Sequence, residues 1–377
     1  MKADTQKLVL HQYHHSVGPA DAVTRHMLLI RNALLELGVE SQIFASEIHP
    51  ALRGLVQTFP NRNIWNADLL LVQHSMGNPQ LQKVLEIEVP KAMVFHNVTP
   101  PEFFHHDPYL RRLAKMGLSQ LALFRQKMVA VFAVSDFNIE VLAEHGMKAE
   151  RFPLLDLHQP LTTASGSAEL QKARPQLLFV GKLCAHKNQA LLLRALSALR
   201  ATPEGQSAEL SLVGGEDPIY GKYLRSLCHA LNLNEHVHFA GKVSDFELAA
   251  KYLGADYFVS PSLHEGFCIP LVEAMRFGVP VIALKRGAVA ETLGQSGVQL
   301  SGDSEEELVH ALRYLQRRPA LRERLIEKQN TRVAELKRFQ NKKTLCGLLL
   351  ETLQETRQPK QSKKVIDERT TRSDLQA

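Results

Sequence analysis

ADYFVSPSLHEGFCIPLVEAM, residues 255–275, passes from a short apolar run through a tight turn into a segment with helical spacing. The run at 255–260 is rich in aromatic and β-branched residues and has the length of a buried parallel strand. PLVEAMRFG reads as a short helix that begins at or near Pro270 and stops before Gly278, the usual placement of Pro at a helix start and Gly past its end. The unit is strand, turn, helix. Glu265 therefore falls in the turn at the carboxyl end of a parallel strand, where α/β proteins bind ligands. Glu273, with seven residues between it and Glu265, is expected in the first helical turn, whose free N–H groups form an anion site.

The same alternation extends over almost the whole chain. KLVLHQY, SQIFA, DLLLVQH, KAMVFH and MVAVFAV are strand candidates in the first half, and QLLFVG, ELSLVGG, HVHFAG, ADYFVS and VPVIAL in the second. Helix-period segments lie between them, as at 21–37, where Val23, Met27, Ile30, Leu34 and Leu37 recur every three or four residues. This is the βαβ signature of parallel sheets covered on both faces. A chain of 377 residues is too long for one core, so two α/β domains are expected, each doubly wound and facing the other across a cleft. The expected division is 1–157, a polar linker at 158–175, and 176–341. A helix at 342–356 returns to the first domain, and the polar tail at 357–377 is expected to be disordered.

Composition narrows the function. The net charge of +6 is too modest and too dispersed to call for nucleic acid as a partner. No apolar run reaches the roughly 20 residues that cross a bilayer, and the first residues lack a secretory core, so a cytoplasmic protein is expected. Cys184, Cys228, Cys268 and Cys346 have neither CxxC nor His-assisted spacing and are expected as buried apolar fillers, with no zinc site. A G-x-G-x-x-G fingerprint is absent, which disfavours a nicotinamide enzyme. No DxD-like acidic pair suggests a metal.

An anion at the start of the 270–277 helix would sit between Glu265 and Glu273, leaving each acid to face hydroxyls on one side. A sugar and a ribose flanking a pyrophosphate have that layout. Taken singly, an acid early in a helix can simply complement the macrodipole, and a loop Glu is commonly only solvated; their joint placement around GFCIP favours a site. LLFVGKLCAHKNQALLLRAL, LSLVGGE, VHFAGKVSDFELAAKYLGADYFVSPSLHEGFCIPLVEAM and GVPVIAL followed by Glu291 occur in that order. In these segments the chain resembles the retaining nucleotide-sugar glycosyltransferases of family 4, the glycosyltransferases group 1, strongly over about 175–295 and more loosely before. The resemblance implies the GT-B fold of two Rossmann-like domains. It also implies that Glu265 contacts donor-sugar hydroxyls, that Glu273 binds the ribose, and that backbone around Gly266, Phe267, Ile269, Pro270 and Leu271 holds sugar and phosphate. Lys182 and Lys187, after the strand ending near Gly181, stand where the family has an Arg and a Lys on the diphosphate. Lys182 is a departure, since an ammonium lacks the bidentate fork of Arg. The backbone at Lys242 matches the segment lying against the nucleobase, Gly18 the glycine loop of the first domain, and His96 the histidine over the donor sugar.

Catalytic roles are thus expected for His96, Lys182, Lys187 and Glu265. Donor binding is expected at Gly18, Gly181, Lys242, Gly266, Phe267, Ile269, Pro270, Leu271 and Glu273. The expected activity is hexosyl transfer with retention from a nucleotide-sugar, GDP-mannose or GDP-rhamnose favoured, without a cofactor or metal. The acceptor is expected to be a lipid-linked oligosaccharide of a surface polysaccharide such as O-antigen. The alternatives are a GT-B sugar-nucleotide epimerase or hydrolase and a non-catalytic sugar-nucleotide binder. Residues 109–132 carry Arg111, Arg112, Lys115, Arg125 and Lys127 and no acid, with Leu110, Leu113, Leu118, Leu121 and Phe124 among them. That make-up suits a helix on the cytoplasmic leaflet, and equally an ordinary core helix with a solvated face.

Overall fold

The computed structural model describes residues 7–19, 21–155 and 175–357. In chain order the first part holds β1 (Leu10–Val17), α1 (Ala22–Glu36), β2 (Ile43–Ile48), β3 (Gln57–Thr58), β4 (Leu69–His74), α2 (Leu81–Leu85), β5 (Lys91–Phe95), α3 (Pro108–Lys127), β6 (Ala130–Ala133), α4 (Asp136–Glu144) and β7 (Glu150–Arg151). The second holds β8 (Gln176–Val180), α5 (Gln189–Arg200), β9 (Glu209–Val213), α6 (Pro218–Ala230), β10 (Val237–Gly241), α7 (Asp245–Gly254) and β11 (Tyr257–Ser260). It continues with α8 (Ile269–Arg276), β12 (Val281–Leu284), α9 (Val289–Leu293), β13 (Val298–Leu300), α10 (Glu305–Gln316), α11 (Pro319–Phe339) and α12 (Lys342–Arg357).

The strands form two parallel sheets, ordered β3-β2-β1-β4-β5-β6-β7 and β10-β9-β8-β11-β12-β13. Helices cover both faces, so the central strands are buried without alternation: every residue of β5, β11 and β12 is buried. Helix starts are fixed by side-chain caps. Asp21 accepts from Thr24 N at 2.8 Å, Ser135 from Asn138 N at 3.1 Å, and Ser244 and Glu247 form a reciprocal capping box. The strand order reverses between β1 and β4 in one sheet and between β8 and β11 in the other. Ligands of open α/β sheets bind outside the carboxyl ends of the strands at such a point.

The sheets confirm the expected fold class. β3, β7 and β13 escaped the sequence reading because strands of two or three residues carry no periodicity. The linker expected at 158–175 and the tail expected at 357–377 lie outside the described residues, save Pro175 and Arg357. α12 packs against α1, with Leu345, Leu349 and Leu353 buried. At its two ends Lys342 pairs with Glu36 at 2.8 Å and Arg357 with Asp68 at 2.7 Å.

α3 is a core helix. Ala114, Leu121 and Phe124 are buried in the first domain's apolar cluster, Leu118 packs against it and Leu113 is buried as well, because this face lies on the sheet. The expectation of these leucines as a free membrane face is thereby corrected, while all five cations of the segment are exposed. The four cysteines are free thiols and buried. No helix among the described residues is long and apolar enough to cross a membrane.

Candidate functional site

The site is built around the turn between β11 and α8. Glu265 is 7% exposed, and its carboxylate accepts a hydrogen bond from Lys187 Nζ at 2.6 Å. Lys187 closes a single 3-10 turn, Ala185–Lys187, and Asn188 then adopts a left-handed conformation to open α5. Burial alone would neutralise both partners. For Lys187 burial pulls the pKa down, but the Glu265 carboxylate outweighs it and the group ends above its ordinary value. For Glu265 burial pushes up, and Lys187, Ser262 and His186 bring it below the usual carboxylate range. Both are charged, and the pair is a buried salt bridge. Burial followed by the Lys187 charge takes neighbouring His186 down to about 3, so it is neutral.

Backbone contacts hold the turn. Ala288 N donates to the Glu265 carbonyl at 3.0 Å, and a Cβ at Gly287, whose φ is +55°, would stand 2.4 Å from that same oxygen. Thr292 Oγ1 donates to the carbonyl of buried Phe267 at 2.6 Å. Cys268 is left-handed (φ 68°) and serves as N-cap, so α8 begins at Ile269 with Pro270 second and Leu271 third. This corrects the placement of Glu273. The left-handed cap starts the helix one residue early, and no acid lies in its first turn. Glu273 instead accepts from Tyr252 Oη at 2.8 Å, and burial together with that carboxylate drives the phenol well above its ordinary pKa.

The first domain meets this turn at the end of β5. A Cβ at Gly266 would come 2.6 Å from the His96 carbonyl oxygen, so only glycine permits the approach. Asn97, left-handed at φ 80°, accepts from His264 Nε2 at 2.9 Å and donates to Asn138 Oδ1 at 2.7 Å. His96 is held neutral: burial, then neighbouring His26, His14 and His74, put its pKa well below normal. Farther along the seam, Glu291 pairs with Arg151 and accepts from Phe137 N at 3.1 Å.

Contacts thus join Lys187, Glu265, Gly266 and His96; Phe267 precedes the cap of α8, Ile269, Pro270 and Leu271 begin the helix, and Glu273 lies beyond its first turn. Gly181 turns the chain after β8 at φ +152°, and a Cβ at Gly214 would meet its carbonyl at 2.1 Å. Lys182 next to it is exposed and has no ion pair among the described residues. Lys242 and Gly18 stand apart from this group. The stem of Lys242 covers Gly215, 2.9 Å from where a Cβ would lie. Gly18 N donates to Thr24 Oγ1 at 3.1 Å, with open space on its Cβ side. The sequence reading missed His264, Asn97 and Gln73. His264 carried a signal in its adjacency to Glu265, whereas Gln73 carried none beyond its strand end.

Two facing doubly wound sheets with a site divided between their carboxyl ends define the GT-B class of fold. Sucrose-phosphate synthase from Thermosynechococcus elongatus superposes with a TM-score of 0.72 at 18% identity, covering 93% of this chain and 100% of its own. The family of glycosyl transferases group 1 matches residues 162–332 of this chain. Among curated relatives, the GDP-mannose-dependent alpha-(1-6)-phosphatidylinositol monomannoside mannosyltransferase of Mycobacterium tuberculosis is 34% identical over 38% of this chain and 40% of its own length. The O-antigen chain mannosyltransferase RfbU of Salmonella typhimurium is 25% identical over 75% of this chain and 76% of its own. The chain therefore spans well under half the length of the first relative and about three quarters of the second.

Proposed function

We propose that this protein is a retaining hexosyltransferase that takes its sugar from a nucleotide-sugar, GDP-mannose first and GDP-rhamnose second, and builds a lipid-linked surface glycan. The observation that carries the reading is the buried Lys187–Glu265 pair held against the His96 backbone through Gly266, a polar site completed by both domains. The mannosyl activity named for the two relatives favours a mannosyl donor.

In this reading the sugar hydroxyls take the place of Lys187 on Glu265, and the ammonium turns to the diphosphate together with Lys182. A leaving diphosphate gains charge as the glycosidic bond breaks, and cations fixed in a site of low polarity stabilise it strongly. Transfer occurs on one face of the sugar: the departing phosphate oxygen accepts the acceptor's proton, and no covalent sugar intermediate forms. Glu273 meets the ribose, exchanging or sharing its bond from Tyr252. The exposed cations of α3, with exposed Tyr109 and Leu123, would rest on the leaflet that carries the acceptor.

The test is incubation of the full chain with a panel of GDP- and UDP-sugars, with and without a lipid-linked acceptor, reading released nucleotide and the anomeric configuration of the product. Acceptor-dependent release from GDP-mannose with an α-product supports the reading. Release without acceptor marks a hydrolase or epimerase, and binding without release marks a non-catalytic protein.

A further inference from the structure

Two glutamines lie buried inside the first sheet. Gln12 on β1 is fully buried and Gln73 on β4 is 3% exposed. A buried amide costs stability unless its hydrogen bonds are made, and these two are made in series. Gln12 Nε2 donates to the Met27 carbonyl at 2.9 Å, Gln73 Nε2 to Gln12 Oε1 at 3.3 Å, and Gln73 Oε1 lies 2.7 Å from His96 Nε2.

The direction of the series follows from its far end. A backbone carbonyl only accepts, so Gln12 must present its NH2 to Met27 and its oxygen to Gln73. Gln73 must then present its NH2 to Gln12 and its oxygen to His96. An oxygen facing Nε2 requires a proton there. In a neutral imidazole the other nitrogen, Nδ1, is then bare, and it has no protein partner among the described residues.

We propose that Gln73, pinned through Gln12 to the Met27 carbonyl, is the positioning residue that holds His96 as the Nε2–H tautomer and so offers Nδ1 to a hydroxyl of the donor sugar. This rests on the function proposed above and adds to it the state of the histidine. The charged groups are kept away from the ring: His26 from α1, His14 from β1 and His74 from β4 surround it, and the latter's pKa, like that of His26, is about 4. A neutral ring with its lone pair towards the sugar accepts a hydroxyl proton as a hydrogen bond. It also places no positive charge beside an anomeric carbon that becomes electron-poor as the leaving group departs.

The experiment uses the full chain labelled with 15N-histidine, with His96 assigned by comparison with His96→Asn, and reads ring-nitrogen shifts by long-range proton correlation near neutral pH. The wild type is expected to show Nε2 protonated and Nδ1 bare. Gln73→Leu is expected to mix the two tautomers and lower kcat about tenfold, as loss of a partner that orients a functional histidine does, with the donor KM nearly unchanged. Gln73→Glu keeps an acceptor at Nε2 and is expected to restore the single tautomer. An Nδ1-protonated ring in the wild type overturns the proposal, as does a Gln73→Leu protein with wild-type spectrum and kcat. The wild-type spectrum needs no substrate, so absence of transfer from every donor would refute the proposed function while the tautomer is still read.

Discussion

Lys187→Met separates what the buried pair does for the fold from what it does for a ligand. The substitution leaves the Glu265 carboxylate, 7% exposed, facing an apolar side chain where an ammonium stood at 2.6 Å. Breaking a buried ion pair on one side costs about 3–5 kcal/mol, because the remaining charge is uncompensated. At about 2–4 °C per kcal/mol for a domain of this size, the unfolding midpoint should drop by about 6–20 °C. Replacing both partners, Lys187→Met with Glu265→Gln, should recover most of that loss, since no buried charge is left, yet give no turnover. Acidity supplies a second signature. With its cation gone, burial raises the Glu265 pKa above the unfolded value, so the neutral form stabilises the fold at low pH and that stability is lost as pH rises through the raised pKa. The gap between variant and wild type should therefore narrow on acidification, measured as the difference in midpoint at matched pH so that other titrations largely cancel. A single variant that melts with the wild type at neutral pH would refute the assignment of these groups as a mutually dependent charged pair.

Glu273→Ala should weaken nucleotide-sugar binding by about 1.5–3 kcal/mol, the worth of a hydrogen bond to a charged group, with kcat changed less; calorimetric titration against GDP-mannose checks it. Gly266→Ala puts a methyl group 2.6 Å from a backbone oxygen in the other domain, so the two domains must part; small-angle scattering should show a larger radius of gyration and assays a lower kcat. His26 and His74 have pKa values of about 4 against an ordinary 6.5. Below about 6.5 the unfolded chain takes up protons that the folded protein refuses, so each should remove about 1.4 kcal/mol of stability per pH unit as pH falls towards 4. Urea unfolding at pH 7, 6 and 5 tests this, and a flat profile would contradict it. Changing Arg111, Arg112, Lys115, Arg125 and Lys127 to Gln should abolish co-sedimentation with anionic vesicles at low salt, because three of the helix's apolar residues are committed to the core and exposed Tyr109 and Leu123 are too few to bind without the charges.

The fold was legible because parallel strands covered on both faces are written as continuous apolar runs, such as LLLV before His74 and YFVS before Pro261. The turn holding Glu265 was legible for the same reason: once β11 and α8 are recognised, the residues between them can only lie at the carboxyl edge of the sheet. The exact start of α8 was not, because it depends on Cys268 adopting a left-handed conformation that side chains rarely take and no residue type announces. Pairing between residues distant in sequence was also hidden, within the second domain as well as across the two. The Lys187–Glu265 bond joins positions 78 residues apart and the His264–Asn97 bond positions 167 apart, and local spacing contains neither distance.

The two sides of the domain junction are built from different chemistry, and this decides which yields first. On one side a continuous apolar cluster runs from Leu10, Ile30 and Phe152 through Leu345 and Leu349 of α12 to Leu271 and Met275 of α8, and Gln340 bonds the Leu154 amide. Burying one such side chain is worth about 1.5–3 kcal/mol, so parting this side would expose many of them together. Across the cleft the contacts are mostly polar, His264 with Asn97 and Glu291 with Arg151 and the Phe137 amide, joined by the rings of Phe103 and Phe104 beside His186. Each such bond has a net worth of about 1 kcal/mol, or somewhat more where a charge takes part, because water replaces what is lost. Parting the domains would therefore cost least at the polar seam and most on the apolar side. The His264–Asn97 contact belongs to residues next to Glu265 and His96, so opening the seam there would separate the two halves of the site and expose the Lys187–Glu265 pair.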